Sequence, residues 1–403
     1  MKSIILLLFK KSTIILCLSF LAFLLLFTNC SKNNNNYSSI ATNTNNNLIQ
    51  FVFTSDQHYG LFKINFQGAT NVDAKLVNAA LVAKMNTIPT LILPNDGGVQ
   101  AGKSIGFIDA VISGGDIANR EETGIQSATV SWGQFINDYI NGMTLKDKKG
   151  IKTPMYVVPG NHDVSNTVGY YKSMAPPTDP YSMLSMFNLM NNPPVPKTIS
   201  SYTYATDKVH SSKDINGVHF MFLNIWPDSM ERLWMNSDLQ NVSASTPILI
   251  FEHSIPDVEA RFFTNPNGNH DINSTDKFEN LVSETFKDGA KTINDLALIE
   301  QKAMVAFLQL HPNIKGMFHG HTNYNQFYNW TGPDNNISLP CFRADSPMKG
   351  ALSVADETKL SFQLVTIDMA TKMMTVRECL WNPNPANPSG PINWGSMINL
   401  ALN

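Results

Sequence analysis

Charge is scarce in this chain: Lys, Arg, Asp and Glu together make up 15% of its 403 residues, against about 25% in ordinary soluble proteins. Neither sign dominates, the formal net charge being -3. The basic footprint that grips a phosphate backbone is missing, so nucleic acid is not an expected partner. Cysteine is rarer still, four in all, too few for a disulfide scaffold. Cys17 and Cys30 fall near the start. Cys341 and Cys379 stand near no motif and read as structural, although in an oxidising compartment they could pair. No internal repeat is visible. What is present is 43% hydrophobic residues, enough for one large α/β domain or two small ones.

The first 48 residues are not read as fold. An uncharged apolar run, Ser12 to Phe27, follows Lys2, Lys10 and Lys11 and precedes Thr28, Asn29 and Cys30. That order is the pattern of an export signal over residues 1–30. Phe27-Thr28-Asn29-Cys30 resembles a loose bacterial lipobox, with Asn29 departing from the usual small residue; Cys30 would then carry the lipid. The run is marginal for a bilayer core of about 30 Å, which leaves an uncleaved signal anchor as the alternative. Residues 31–48, rich in Asn, read as a tether. The expectation is a protein exported to the periplasm or cell surface and held to the membrane through its N-terminus.

From Leu48 onward, short apolar runs each end in polar groups. Leu48 to Phe53 leads into Asp56 and His58, Ile108 to Ile112 into Asp116, and Met155 to Val158 into Asn161, His162 and Asp163. Pro247 to Phe251 leads into His253, and Lys315 to Phe318 into His319 and His321. Continuous apolar runs indicate strands buried on both faces, and polar groups at strand ends are how an α/β sheet builds a site. Helical spacing covers Val72 to Met85, Ser127 to Tyr139 and Leu296 to Leu310. Later strands are expected at Ser338 to Arg343, Leu360 to Ile367 and Met373 to Cys379. The prolines between Met174 and Thr198 suggest an irregular excursion, a candidate cap, within an insertion at about 164–215. Residues 381–403 read as an irregular tail after a domain spanning 49–380.

Five of the nine His lie in these segments, joined by Asp56, Asp116 and Asn161. Imidazoles and carboxylate or amide oxygens without thiolate suit Mn, Fe or Zn. Their number exceeds one tetrahedral site and fits two metals sharing a carboxylate, a clamp for the attacking and leaving oxygens of phosphoryl transfer.

The ordered set Asp56-x-His58, Gly115-Asp116, Gly160-Asn161-His162-Asp163, His253 and His319-Gly320-His321 resembles the calcineurin-like metallophosphoesterase superfamily. The resemblance implies an α/β fold, a layered β-sandwich of mixed sheets flanked by helices. It also implies two divalent or trivalent ions, and hydrolysis of phosphomonoesters or phosphodiesters by a hydroxide held between them. The family's closing motif, Gly-His-x-His, fits in two registers. One takes His319 and His321 as its two His, with Phe318 in place of Gly; the other runs Gly320-His321-Thr322-Asn323, with Asn323 in place of the second His. The first keeps two imidazoles and is adopted. The resemblance then puts Asp56, His58 and His321 on one metal and Asn161, His253 and His319 on the other, with Asp116 bridging. It makes His162 the group that protonates the leaving oxygen. Asn119 stands where a protein phosphatase carries the Asp that orients this His, with Asp163 as a substitute carboxylate, and Arg120 stands where that branch grips phosphate. A Tyr three residues after the Asp, needed by purple acid phosphatases, is replaced by Asn119.

Gly97 to Ser104 matches the phosphate-loop pattern G-x-x-x-x-G-K-S, but that loop works only at the opening of a helix, and Ile105-Gly106-Phe107 leads into a strand instead. His210, His219, His270 and His311 are isolated and read as ordinary histidines. The alternative to a hydrolase is a surface lipoprotein that binds metal without catalysis. Substrate, metal identity and oligomeric state are not encoded in any of these motifs.

Overall fold

The computed structural model describes residues 46–119, 126–164, 181–203, 206–258 and 298–403. They lie within one unit, Asn43–Asn403. The 1–30 leader, nearly all of the 31–48 tether, and Arg120 lie outside the described residues. Among the described residues no helix is long and apolar enough to cross a membrane.

The apolar runs become strands because both of their faces are covered. β1 (Leu48–Thr54), β4 (Ala110–Ser113) and β8 (Ile248–Phe251) are buried at every position, the signature of central strands. The first sheet has the order β14-β13-β12-β1-β4-β5, adding β5 (Met155–Val157), β12 (Ser361–Asp368), β13 (Met373–Leu380) and β14 (Asn393–Ala401). β1, β4 and β5 run parallel, whereas β12 to β14 attach as an antiparallel meander. The second sheet has the order β10-β11-β9-β8-β7-β6. Its strands are β6 (Ser211–Ile215), β7 (Val218–Phe222), β8, β9 (Ile314–His319), β10 (Gln326–Trp330) and β11 (Leu339–Arg343). In it β7, β8, β9 and β11 are parallel. A small hairpin of β2 (Phe62–Phe66) and β3 (Ala69–Asp73) stands apart from both.

Between the sheets lies an aromatic core. Phe51 of β1 meets Phe220, Phe251 and Phe318 of the second sheet edge-on at centroid distances of 5.4, 5.7 and 5.5 Å. Phe251 and Phe318 stack at 5.0 Å. Edge and offset contacts of this kind add about 0.5–1.5 kcal/mol per pair beyond area burial. They fix the separation of the sheets, and hence of the strand ends that carry the polar groups.

Six α-helices are described: α1 (Ala74–Met85), α2 (Ala128–Phe135), α3 (Asn161–Val164), α4 (Tyr181–Asn191), α5 (Ser229–Leu239) and α6 (Ile299–Leu310). α1 starts two residues later than its apolar spacing suggests because β3 takes Val72 and Asp73, and the Asp73 carboxylate caps the helix at Lys75 N. α2 continues into a π-helical turn, Ile136–Asn141, where Asp138 accepts a 2.8 Å hydrogen bond from the Tyr59 hydroxyl.

Two expectations are corrected. Residues 381–403 are not an irregular tail: β14 pairs with β13 from Met373↔Ala401 to Leu380↔Asn393. Its side chains are largely half-buried or exposed, so backbone pairing rather than an apolar run makes the strand. The proline-rich 174–198 segment is not wholly irregular either, since α4 forms between Pro180 and Pro193 and buries Met183, Leu184, Met186 and Met190. Cys341 on β11 and Cys379 on β13 are buried, in different sheets, and free. The phosphate-loop look-alike is a turn packed on β13: Val99 N donates to Thr375 Oγ1 over 2.7 Å and Arg377 pairs with Asp96, with no helix after Ser104.

Candidate metal centre

All five polar segments emerge at the C-terminal ends of parallel strands, three from the first sheet and two from the second. The β1–β4 pairing extends past the strands through Asp56 N→Gly115 O (2.9 Å) and His58 N→Asp116 O (2.9 Å). In the second sheet the β8–β9 pairing is extended in the same way by Gly320 N→His253 O (3.1 Å). Asp56, His58, Asp116 and His321 all have positive φ, at 58, 44, 55 and 73°. Such left-handed residues cost about 1–3 kcal/mol each and cluster where geometry serves a function. Two glycines make the approach possible. A Cβ at Gly160 would collide with the Asp116 carboxylate, and one at Gly320 with Ser55 Oγ and the Asp56 carboxylate.

Asp116 is the hub. Its Oδ1 accepts from His162 N (2.9 Å), while its Oδ2 lies 3.3 Å from His253 Nε2, 3.7 Å from His58 Nε2 and 3.9 Å from His162 Nε2. It therefore belongs to two metal-competent groupings, His58–Asp116–His162 and Asp56–Asp116–His253, all buried. His253 donates Nδ1–H to Gly114 O (2.7 Å), which leaves Nε2 as the inward nitrogen, a common way to orient a metal-binding imidazole. Asn161 Oδ1 sits 3.1 Å from His253 Nε2 and 3.1 Å from His321 Nδ1. Asp56 Oδ1, both nitrogens of His58 and His162 Nδ1 are buried with no hydrogen-bond partner among the described residues. Buried polar groups are rarely left unpaired; two cations would satisfy this set, so the donors fit the dinuclear centre.

Electrostatics point the same way. Burial raises the Asp116 carboxyl, but the His253 ring, through its charge and its hydrogen bond, more than offsets it and holds it well below the usual carboxylate range. Burial works against a charged His253, yet Asp116 and Asp56 lift it to about 9. Burial pushes His58 down, His162 well down, and His321 to about 4. Those three rings are thus neutral, with a lone pair to give.

The structure departs from the adopted register of the last motif. His321 does not pair with His58; it lies against Asn161 and His253, with His321 Nδ1 3.2 Å from His253 Nε2. His319 does not join either grouping. Its Nδ1–H donates to Gly320 O (3.0 Å) and its Nε2 accepts the Tyr328 hydroxyl (2.8 Å), so no lone pair remains. The geometry follows the Gly320-His321-Thr322-Asn323 register, because β9 ends at His319 and the left-handed turn at His321 redirects the next side chain. Asn323, at the second-His position, has positive φ and a buried Oδ1 with no partner among the described residues.

Neither substitute for the orienting carboxylate holds. Asn119 is buried with its amide unpartnered among the described residues. Asp163 is occupied elsewhere, accepting from Gly160 N, Ile117 N, Ala118 N and Ser182 Oγ over 2.8–3.1 Å. Those bonds splice the Asp116 and Asn161 loops together; burial and Asp116 still raise its carboxyl to about 6.

Two contributors carried no motif. Lys349 Nζ lies 3.4 Å from His162 Nε2, and Ser346 Oγ donates to Asp56 O (2.8 Å). Both follow β11, a parallel neighbour of β9 whose C-terminal end opens on the same edge. That pairing was the one available signal.

A dinuclear-type ligand cluster across the C-terminal edges of two mixed sheets defines a metallohydrolase of the phosphoesterase class. A model of the calcineurin-like phosphoesterase family matches residues 49–325, and the chain belongs to that family, whose members use a dinuclear metal centre. Among solved structures it is similar to a dimetal phosphatase from Danio rerio, with 9% identity over 88% of this chain and 99% of that one and a TM-score of 0.49. It is also similar to the calcineurin-like phosphoesterase YfkN from Bacillus subtilis, with 11% identity over 88% and 91% and a TM-score of 0.32. No curated protein matches the chain.

Proposed function

We propose that the protein hydrolyses phosphomonoesters or phosphodiesters with two metal ions, from an exported position tethered by residues 1–48. The observation that carries the catalytic reading is the single Asp116 carboxylate within reach of three imidazoles. Asp56, His58 and Asp116 would hold one ion, and Asp116, Asn161, His253 and His321 the other. The bound ions, Mn, Fe or Zn by their donors, would lower the pKa of a water and offset charge on the phosphoryl oxygens.

The chain's own residues do the rest. Gly114 O fixes the His253 ring, and the Asp163 carboxylate fixes the loops that carry Asp116 and Asn161. His162, pinned by its backbone bond to Asp116 Oδ1, stands beside the ligand set as the group that would protonate the leaving oxygen. Metal analysis with a chromogenic aryl phosphate assay in added Mn tests the reading. Two ions and turnover, lost in Asp116→Asn with an unchanged circular dichroism spectrum, support it; two ions without turnover of any ester favour a metal-binding lipoprotein instead. The tether is supported by the basic, apolar and Cys30 pattern, and Cys30→Ala should release the protein from the membrane fraction if Cys30 is lipidated.

A further inference from the structure

A cleft of about 420 Å³ opens between β2 and the segment after β11. Its walls include Leu61, Phe62, Ile64, Asn323, Met348 and Lys349. Phe62 and Ile64 are 58% and 70% exposed and, two residues apart on one strand, face the same side. Large apolar groups held in water beside a ligand cluster are not explained by packing, because the hairpin's own buried residues are Lys63, Phe66 and Val72.

Lys349 joins this cleft to the centre. Its backbone N–H donates to Ser346 Oγ (2.9 Å), and that hydroxyl donates to the carbonyl of Asp56 (2.8 Å). The lysine is thereby indexed to a metal-ligand residue, and its ammonium reaches His162 Nε2 at 3.4 Å. Groups that must meet a substrate are most useful when positioned this way.

We infer that Lys349 takes a phosphoryl oxygen of the substrate and that the cleft takes the organic group, an apolar or flat ring of about nucleoside size. This substrate class rests on the phosphoesterase reading. The volume lies within the roughly 300–1,000 Å³ usual for small-molecule sites. Aryl or nucleoside-type esters are the class selected over glycerol-type esters, whose polar groups gain nothing from Phe62 and Ile64.

The test uses the full chain loaded with Mn and separates the two parts. Inorganic phosphate binding, measured by calorimetry and independent of turnover, should weaken at least about tenfold in Lys349→Met, the loss expected for a charged hydrogen bond. Lys349→Arg should recover most of it, with metal content unchanged in both. The double variant Phe62→Ser, Ile64→Ser should keep phosphate affinity and raise KM for an aryl ester but not for a glycerol ester. Equal phosphate affinity in Lys349→Met, or an equal KM change for both esters, overturns the proposal. Lys349-dependent phosphate binding with no turnover of any ester in the wild type overturns the hydrolase reading while leaving the anion site in place.

Discussion

The Tyr328 hydroxyl donates to Nε2 of His319 over 2.8 Å, while His319 Nδ1–H donates to Gly320 O. Both nitrogens of the ring are thereby consumed. The pair secures the end of β9 against β10, and the turn that follows carries His321 to Asn161.

The two histidines should therefore behave differently. His321→Ala is expected to reduce bound metal from two ions to about one per chain. The accompanying loss of affinity should exceed the roughly 10- to 100-fold typical of residues one step removed from a metal. His319→Asn should keep both ions. Elemental analysis after gel filtration decides, and loss of metal in His319→Asn alone would restore the other register.

Gly320 tests the close approach. In Gly320→Ala the new methyl meets Ser55 Oγ and the Asp56 carboxylate, so Asp56 must move. Metal affinity should fall by at least about tenfold, although Gly320 has no side chain to bind metal. Metal titration followed by intrinsic fluorescence measures it.

Metal removal should destabilise the fold. Carboxylates and unpaired imidazoles are crowded at strand ends in left-handed conformations, and a cation at 100 times its Kd contributes about 2.7 kcal/mol. Treatment with a chelator is expected to lower Tm by several degrees, and Mn to restore it. In Asp116→Asn the shift should vanish.

A pH effect is expected well away from the centre. His219 holds Asp214 through Nδ1 and Asp238 through Nε2, both at 2.8 Å. Burial lowers its pKa, but the two carboxylates win and the net shift is upward. Burial raises Asp238, which His219 and Ser212 bring down overall. The raised histidine adds stability fully present below about pH 6.5 and lost as pH rises through its folded value; the lowered Asp238 adds stability lost only as pH falls below about 4. Urea unfolding of His219→Gln should thus differ most from wild type near pH 5–6, with the gap closing on the alkaline side. A gap constant from pH 5 to 9 would falsify this account.

Much of the candidate centre was legible in the chain because donor groups at strand ends leave a local trace. Asp56, His58, Asp116, Asn161, His162 and His253 each follow an apolar run, and the structure brings all six together. β14 was not legible, since its strand character comes from pairing with β13 and not from its own residues. Asn119 was read by position in a motif, but its amide does not meet His162.

The sequence alone determined which residues could act as ligands and on which strands they end, because apolar runs and donor types are local properties. Only the tertiary structure decided which imidazole turns inward. The choice between His319 and His321 depends on Tyr328, on the end of β9 and on a left-handed turn, and no spacing rule contains a partner from a strand two places away in the sheet. Lys349 belongs to the same category: it becomes a neighbour of His162 only because β11 runs parallel to β9 and delivers its loop to the same edge.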